Sequence, residues 1–310
     1  MATYRWRIEF SLLGVPIASS VTLDAIHLAP AFPDEKGRSR SIGYLVIETD
    51  QYLQDLAVEA DALSQLEFVA IAAAALGGSV REPVVTSVRL ENRDDLEAAG
   101  VRTPLENASL TVRYNVIAPD IEETALTKCY RTAVRLEGQE ASLWRRAARW
   151  LWKANSEADP YDQFLALWIS FNVLYGPLKT NSEQRAIQDY LAKEIPREPD
   201  AEKFLAEFRS EDLDLLGASG LTLKSRNWPV ANELQTALAL PAAQQSRRRL
   251  VALAFLTIYA VRCGIVHEGG VEVPRDSESR LVWASVHVLK PAIMRLLRNR
   301  LGVRVEMGSE

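Results

Sequence analysis

The sequence predicts an α+β protein: a mixed N-terminal domain of β-strands and one helix over residues 1–138, then an all-α domain over 139–310. Two observations lead there. Apolar residues alternate with polar ones in several short runs before residue 120, the period of a half-buried strand. From about residue 121 those runs stop and helical spacing takes over to the end, a switch that marks a domain boundary. A chain of 310 residues suits two cores better than one.

Tyr4, Trp6, Ile8, Phe10 and Leu12 alternate with Arg5, Arg7, Glu9 and Ser11, so the first strand has one wet face. Further strands are expected over 21–28, 42–49 and 83–91, and at Leu110, Val112, Tyr114 and Val116. Between the third and fourth, the Ala- and Leu-rich stretch 51–76 reads as a helix stopped by Gly77-Gly78.

The second domain opens with a helix over 140–155. Next, Asp159 serves as N-cap, Pro160 as first helical residue and Gly176-Pro177 as stop. Phe164, Leu167, Trp168, Phe171, Leu174 and Tyr175 form one stripe of that helix, while Leu165, Ile169 and Val173 cover another side. A helix apolar on most sides is buried by more than one neighbour. Asn172 interrupts the wall and is a candidate for substrate binding or for a buried hydrogen bond. Helices over 183–194 and 200–216, a loop over 217–228 and a short helix to Leu240 follow. A long helix over 244–266 leads to a polar loop, and Ser277 is the expected cap of a final helix kinked at Pro291.

The net charge of −5 divides unevenly. Residues 1–140 hold 13 Lys+Arg against 21 Asp+Glu, and the remainder holds 23 against 20. Any phosphate-binding surface is therefore expected in the second domain, where Arg145/Arg146/Arg149, Arg247/Arg248/Arg249 and Arg295/Arg298/Arg300 cluster. Cys129 and Cys263 are far apart and lie in no metal-ligand spacing, which predicts no disulfide, no zinc site and a reducing cytoplasm. No carboxylate cluster suited to magnesium and no phosphate-binding glycine loop is present, so neither metal nor cofactor is expected. The charged N-terminus does not read as a signal peptide, and the apolar run 68–76 is too short to span a bilayer, so no membrane association is expected.

The long helix closes on Arg262-Cys263-Gly264-Ile265-Val266-His267, followed by Glu268-Gly269-Gly270. An arginine is always charged and can fork two hydrogen bonds onto a phosphate, and a histidine can give or take a proton near neutral pH. Together they suit RNA cleavage without metal. The 2′-OH must lose a proton, the 5′-oxygen must gain one, and the phosphoryl oxygens need positive charge. Arg262 and His267 are the catalytic candidates, and two copies of His267 in a dimer could serve as base and acid. Glu268, Arg247 and Arg248 join Asn172 as candidate substrate contacts. Five residues on a regular α-helix turn through about 140°, so the helix end must relax for Arg262 and His267 to meet. The plainer alternative places Arg262 in a salt bridge and His267 as a helix C-cap. His27 and His287 read as packing or surface residues, and Asp162 as a carboxylate complementing the helix dipole.

With these residues in place, the chain resembles the HEPN superfamily, and particularly its Apea-like branch, over roughly 143–301. The tryptophan-bearing helix 161–175 and the segment 261–270 carry the resemblance. It implies a bundle of four or five helices that pairs as a homodimer, with two Arg/His motifs facing one cleft. It also implies a metal-independent endoribonuclease of antiviral defence or toxin–antitoxin systems, acting on RNA and answering to an antitoxin or a phage-derived trigger. The residue after the arginine is usually polar in that family, and here it is Cys263. A catalytically inactive dimerisation or RNA-binding module in a defence assembly is the alternative.

Overall fold

The computed structural model describes residues 4–35, 37–91, 121–178, 182–223, 227–271 and 275–302. The chain forms two compact units, Met1–Glu137 with Leu301–Glu310, and Gly138–Arg300. The architecture is mixed α+β, an N-terminal antiparallel sheet of six strands and a succession of helices.

In the first unit, β1 (Tyr4–Leu13) pairs antiparallel with β5 (Ser39–Thr49) and β6 (Val84–Leu90). The sheet order is β2-β3-β5-β1-β6, with the short β4 (Phe32–Pro33) on β5. Alternation makes the core: Trp6, Ile8, Phe10 and Leu12 of β1 are buried with Leu45 and Ile47 of β5. Helix α1 (Asp55–Ala75) covers that face, and its last ten residues, Leu66 to Ala75, are all buried. Helix α2 (Glu123–Val134) packs on α1 and β2.

The expected single strand over 21–28 is instead a hairpin of β2 (Val21–Leu23) and β3 (Ile26–Leu28). Asp24 adopts φ of 53°, the left-handed region that a two-residue hairpin turn needs and that Asp tolerates better than most residues. The strand expected at Leu110 to Val116 lies outside the described residues.

The other sheet face presents Arg7, His27 and Tyr44 in a row. The Arg7 guanidinium sits 3.8 Å from the Tyr44 ring centre, and His27 stacks on Tyr44 at 4.5 Å. A recess of about 400 Å³ runs beside them, also lined by Glu9, Thr22 and Thr86.

The second unit is helical: α3 (Gly138–Ser156), α4 (Pro160–Tyr175), α5 (Glu183–Glu194), α6 (Glu198–Leu205), α7 (Ser210–Gly217), α8 (Val230–Ala239), α9 (Arg247–Cys263) and α10 (Arg275–Arg300). Asp159 accepts hydrogen bonds from the Tyr161 and Asp162 amides, which starts α4 where its sequence punctuation says it should. The expected helix over 200–216 is two, α6 and α7, separated around Ala206 to Arg209. Ser277 does not cap α10, because that helix begins at Arg275 and continues through Pro291.

Helix α9 lies at the centre, touching α5, α6, α7, α8 and α10. Phe171 of α4 meets Phe255 of α9 at 4.8 Å and Tyr190 of α5 at 6.0 Å, ring centre to ring centre. These rings hold three helices around one point, and removing one such Phe side chain typically costs about 3–5 kcal/mol. The Arg247–His267 stretch is long and apolar enough to cross a membrane by composition, and its apolar 18-residue window is 61% buried within the protein. Packing against several helices is sufficient reason for that apolarity.

Candidate functional site

Helix α9 stops being α-helical one residue after Arg262. Gly264–Glu268 form a π-helical turn, in which the Gly269 N–H reaches five residues back to the Gly264 carbonyl. Such a turn holds one residue more than an α-turn, so residues five apart become neighbours across it. The 140° separation expected of a regular helix is removed. Arg262 Nη1 lies 3.0 Å from His267 Nε2.

Local sequence explains the turn. A side chain at Gly264 would sit 3.0 Å from the Gly270 carbonyl oxygen and 3.1 Å from Val271 Cα, so only glycine lets the following loop fold back this closely. Gly269 then reverses the chain at φ of 73°, where glycine meets no steric penalty. The returning loop is tied down by Glu278 of α10, whose carboxylate accepts the Val271 amide at 3.2 Å and the Tyr161 hydroxyl at 3.0 Å. Burial raises the pKa of Tyr161, which keeps its hydroxyl a donor.

A guanidinium has donors only, so a hydrogen bond across this contact uses a lone pair on His267 Nε2, which the Nδ1–H tautomer provides. His267 is exposed, while Arg262 and Cys263 are half-buried. Among the described residues no carboxylate comes within ion-pair distance of Arg262. The salt bridge of the plainer alternative is thus not found for Arg262 among the described residues. His267 does belong to the last turn of the helix.

Around the pair stand Tyr175 and Tyr259. Burial, then the hydrogen bond and charge of Glu183, push the Tyr175 hydroxyl far above its ordinary range, and Arg262 opposes this. Burial, then Cys263 and Glu183, raise Tyr259, and Arg262 again opposes. Tyr175 donates to Glu183 Oε1 at 2.6 Å, and the Asn172 amide approaches the same oxygen at 3.4 Å. Tyr259 lies flat against Trp168, ring centres 5.8 Å apart.

No protein-family model, characterised protein or solved structure matches this chain. The site must be read from its own chemistry.

The structure brings Arg262 and His267 together, and places Asn172 beside Glu183. Glu268 follows His267 in the π-turn. Arg247 and Arg248 lie at the other end of α9, about 20 Å away at about 1.5 Å rise per residue. Their backbone amides donate to the Glu198 carboxylate at 2.7 and 3.3 Å, so this end of α9 is occupied by a cap. His27 packs against Tyr44 in the first unit, and His287 lies 3.3 Å from Asp212 on α7. The sequence reading missed Glu183, Tyr175, Tyr259 and Glu278. Tyr175 and Tyr259 look like two more aromatic residues in apolar helices, and the carboxylates come from distant positions that no spacing rule connects.

Proposed function

We propose that the helical unit is a metal-independent endoribonuclease of a defence or toxin system, acting through Arg262 and His267 where two copies of the chain pair. The observation that carries this reading is a half-buried guanidinium whose described partner is an imidazole at an exposed helix end. A cation in a merely structural role is normally matched by a carboxylate. Among the described residues no carboxylate takes the fork, which suits it to a phosphodiester.

When a phosphodiester engages Arg262, the Nε2 lone pair of His267 is released to accept the 2′-OH proton. The 2′-oxygen attacks phosphorus, the bond to the 5′-oxygen breaks, and that oxygen takes a proton from the second His267, which enters the step as the imidazolium and leaves it neutral. The products are a 2′,3′-cyclic phosphate and a 5′-hydroxyl. Val266, one residue before the imidazole and 47% exposed, supplies apolar surface at the rim where a second copy would dock.

The test is incubation of the full chain with single-stranded RNA in EDTA. Fragments ending in cyclic phosphate are expected, lowered at least about 100-fold by His267→Ala and strongly reduced by Arg262→Lys, which keeps charge but loses the fork. RNA left intact by a folded, dimeric protein would instead assign the unit to binding or dimerisation without catalysis.

A further inference from the structure

The recess on the outer sheet face of the first unit has about 400 Å³, a size within the range of small-molecule sites. Its planar side chains are held by one another. Tyr44 on β5 is flanked by His27 from β3 at 4.5 Å and by the Arg7 guanidinium from β1 at 3.8 Å, and β5 lies between those two strands. Thr22 of β2 meets His27 Nδ1 through its hydroxyl at 3.2 Å. The close approach of β3 depends on Gly43, because a Cβ there would stand 2.1 Å from the His27 carbonyl oxygen.

Hydrogen-bonding capacity is left over beside this stack. Arg7 and Glu9 are two apart on β1 and so share the outer face. Arg7 Nε lies 4.0 Å from Glu9 Oε1, and Arg7 Nη1 lies 3.9 Å from Glu91 Oε1, both too long for hydrogen bonds. Among the described residues neither the Arg7 nor the Glu9 side chain has a hydrogen-bond partner. A bare phosphate drawn to Arg7 would also face Glu9 and Glu91, so the charges do not suit a simple anion. A neutral ring with an acceptor next to donors satisfies both side chains at once, and Ala29, Ile42 and Gly43 give it apolar lining. Guanine has that edge: O6 accepts, and the neighbouring N1–H and N2 amino group donate, an order that adenine, cytosine and uracil do not offer.

We propose that this recess binds a guanine base, with the Arg7 guanidinium donating to O6 and the Glu9 carboxylate accepting from N1–H and the N2 amino group. The site lies wholly in the first unit and is independent of the reading of Arg262 and His267. A free nucleotide and a single strand both present such a base.

The experiment is calorimetric titration of the full chain with guanosine 5′-monophosphate, which has no phosphodiester to cleave. Saturable binding is expected, at least about tenfold tighter than for the adenosine, cytidine and uridine monophosphates. Glu9→Gln, which keeps shape and exchanges an acceptor for a donor, is expected to weaken it about tenfold, and Arg7→Ala likewise. Either variant serves if the other fails to fold. Histidine ¹⁵N NMR locates the ligand, since the chain has three histidines that substitution assigns. The monophosphate is expected to shift the His27 signals and leave those of His267 and His287 in place. A single-stranded DNA oligonucleotide with one guanine, which has no 2′-OH, separates the two sources. Displacement of the monophosphate assigns the base to a strand, and no displacement assigns it to a free nucleotide. The proposal is overturned by no saturable binding, by equal binding of the four monophosphates, by unchanged affinity in either folded variant, or by shifts confined to His267.

Discussion

Two glycines beside the candidate site act by different physics, and substitution separates them. Gly264 has an ordinary helical backbone, and its constraint is the neighbouring loop, 3.0–3.1 Å from where a Cβ would stand. Gly264→Ala is expected to push Gly270 and Val271 away and cost about 1–3 kcal/mol, as overpacking does. Gly269 has open space around it but a positive φ. Gly269→Ala is expected to cost about 1–2 kcal/mol through the backbone alone. Thermal melts measure both, and cleavage assays distinguish them: the first variant is expected to lose more activity than its stability loss accounts for, because it moves the π-turn. At this scale the sequence was half legible. Arg262 and His267 stand out because a cation and an imidazole close an apolar helix. Glu183 and its hydrogen bond from Tyr175 do not, because that tyrosine's hydroxyl is invisible in an apolar stripe.

Among the elements, α9 has unlike ends. Its N-terminus is capped by Ser246 and by Glu198, whose carboxylate accepts Ser246 Oγ at 2.8 Å and the Arg247 and Arg248 amides. Desolvation at the helix end raises the Glu198 pKa, but the Ser246 hydroxyl, the two amides and the Arg248 charge outweigh it and leave the group below its ordinary value of 4.5. A depressed acid stabilises the fold above its unfolded pKa and loses that contribution as pH falls through the folded one. Glu198→Gln is therefore expected to lower the melting temperature at pH 7, and the gap to the unaltered protein is expected to close as the pH drops below about 4. Because Glu198 is largely exposed, solvent screening keeps the effect small. Strand and helix positions were legible where periodicity and caps coincide, as in β1 and α4. The division of 200–216 into α6 and α7 was not, since both pieces share one apolar pattern and the break carries no glycine or proline. The β2–β3 hairpin was missed because Asp24 sits in a stretch that otherwise reads as continuous strand.

For the whole molecule, the proposal that two copies complete one active groove has a kinetic consequence. Specific activity on RNA is expected to rise with protein concentration and to level off where sedimentation reports the dimer. Mixing an excess of His267→Ala subunits into the unaltered protein is expected to suppress its activity, since a mixed dimer keeps only one of the two imidazoles; undiminished activity in dimers shown to be mixed would place the whole reaction within one chain. The sequence exposed the passage from sheet to helices at this scale, because a change of hydrophobic period is a bulk property.

The carboxylate at Glu278 has a mechanical meaning. It grips the loop behind the imidazole and, with its other oxygen, the first turn of α4, so the starts of α4 and α10 are coupled to the backbone that carries His267. If the proposed reaction runs at His267, whatever engages those helices would act on the imidazole through this one carboxylate.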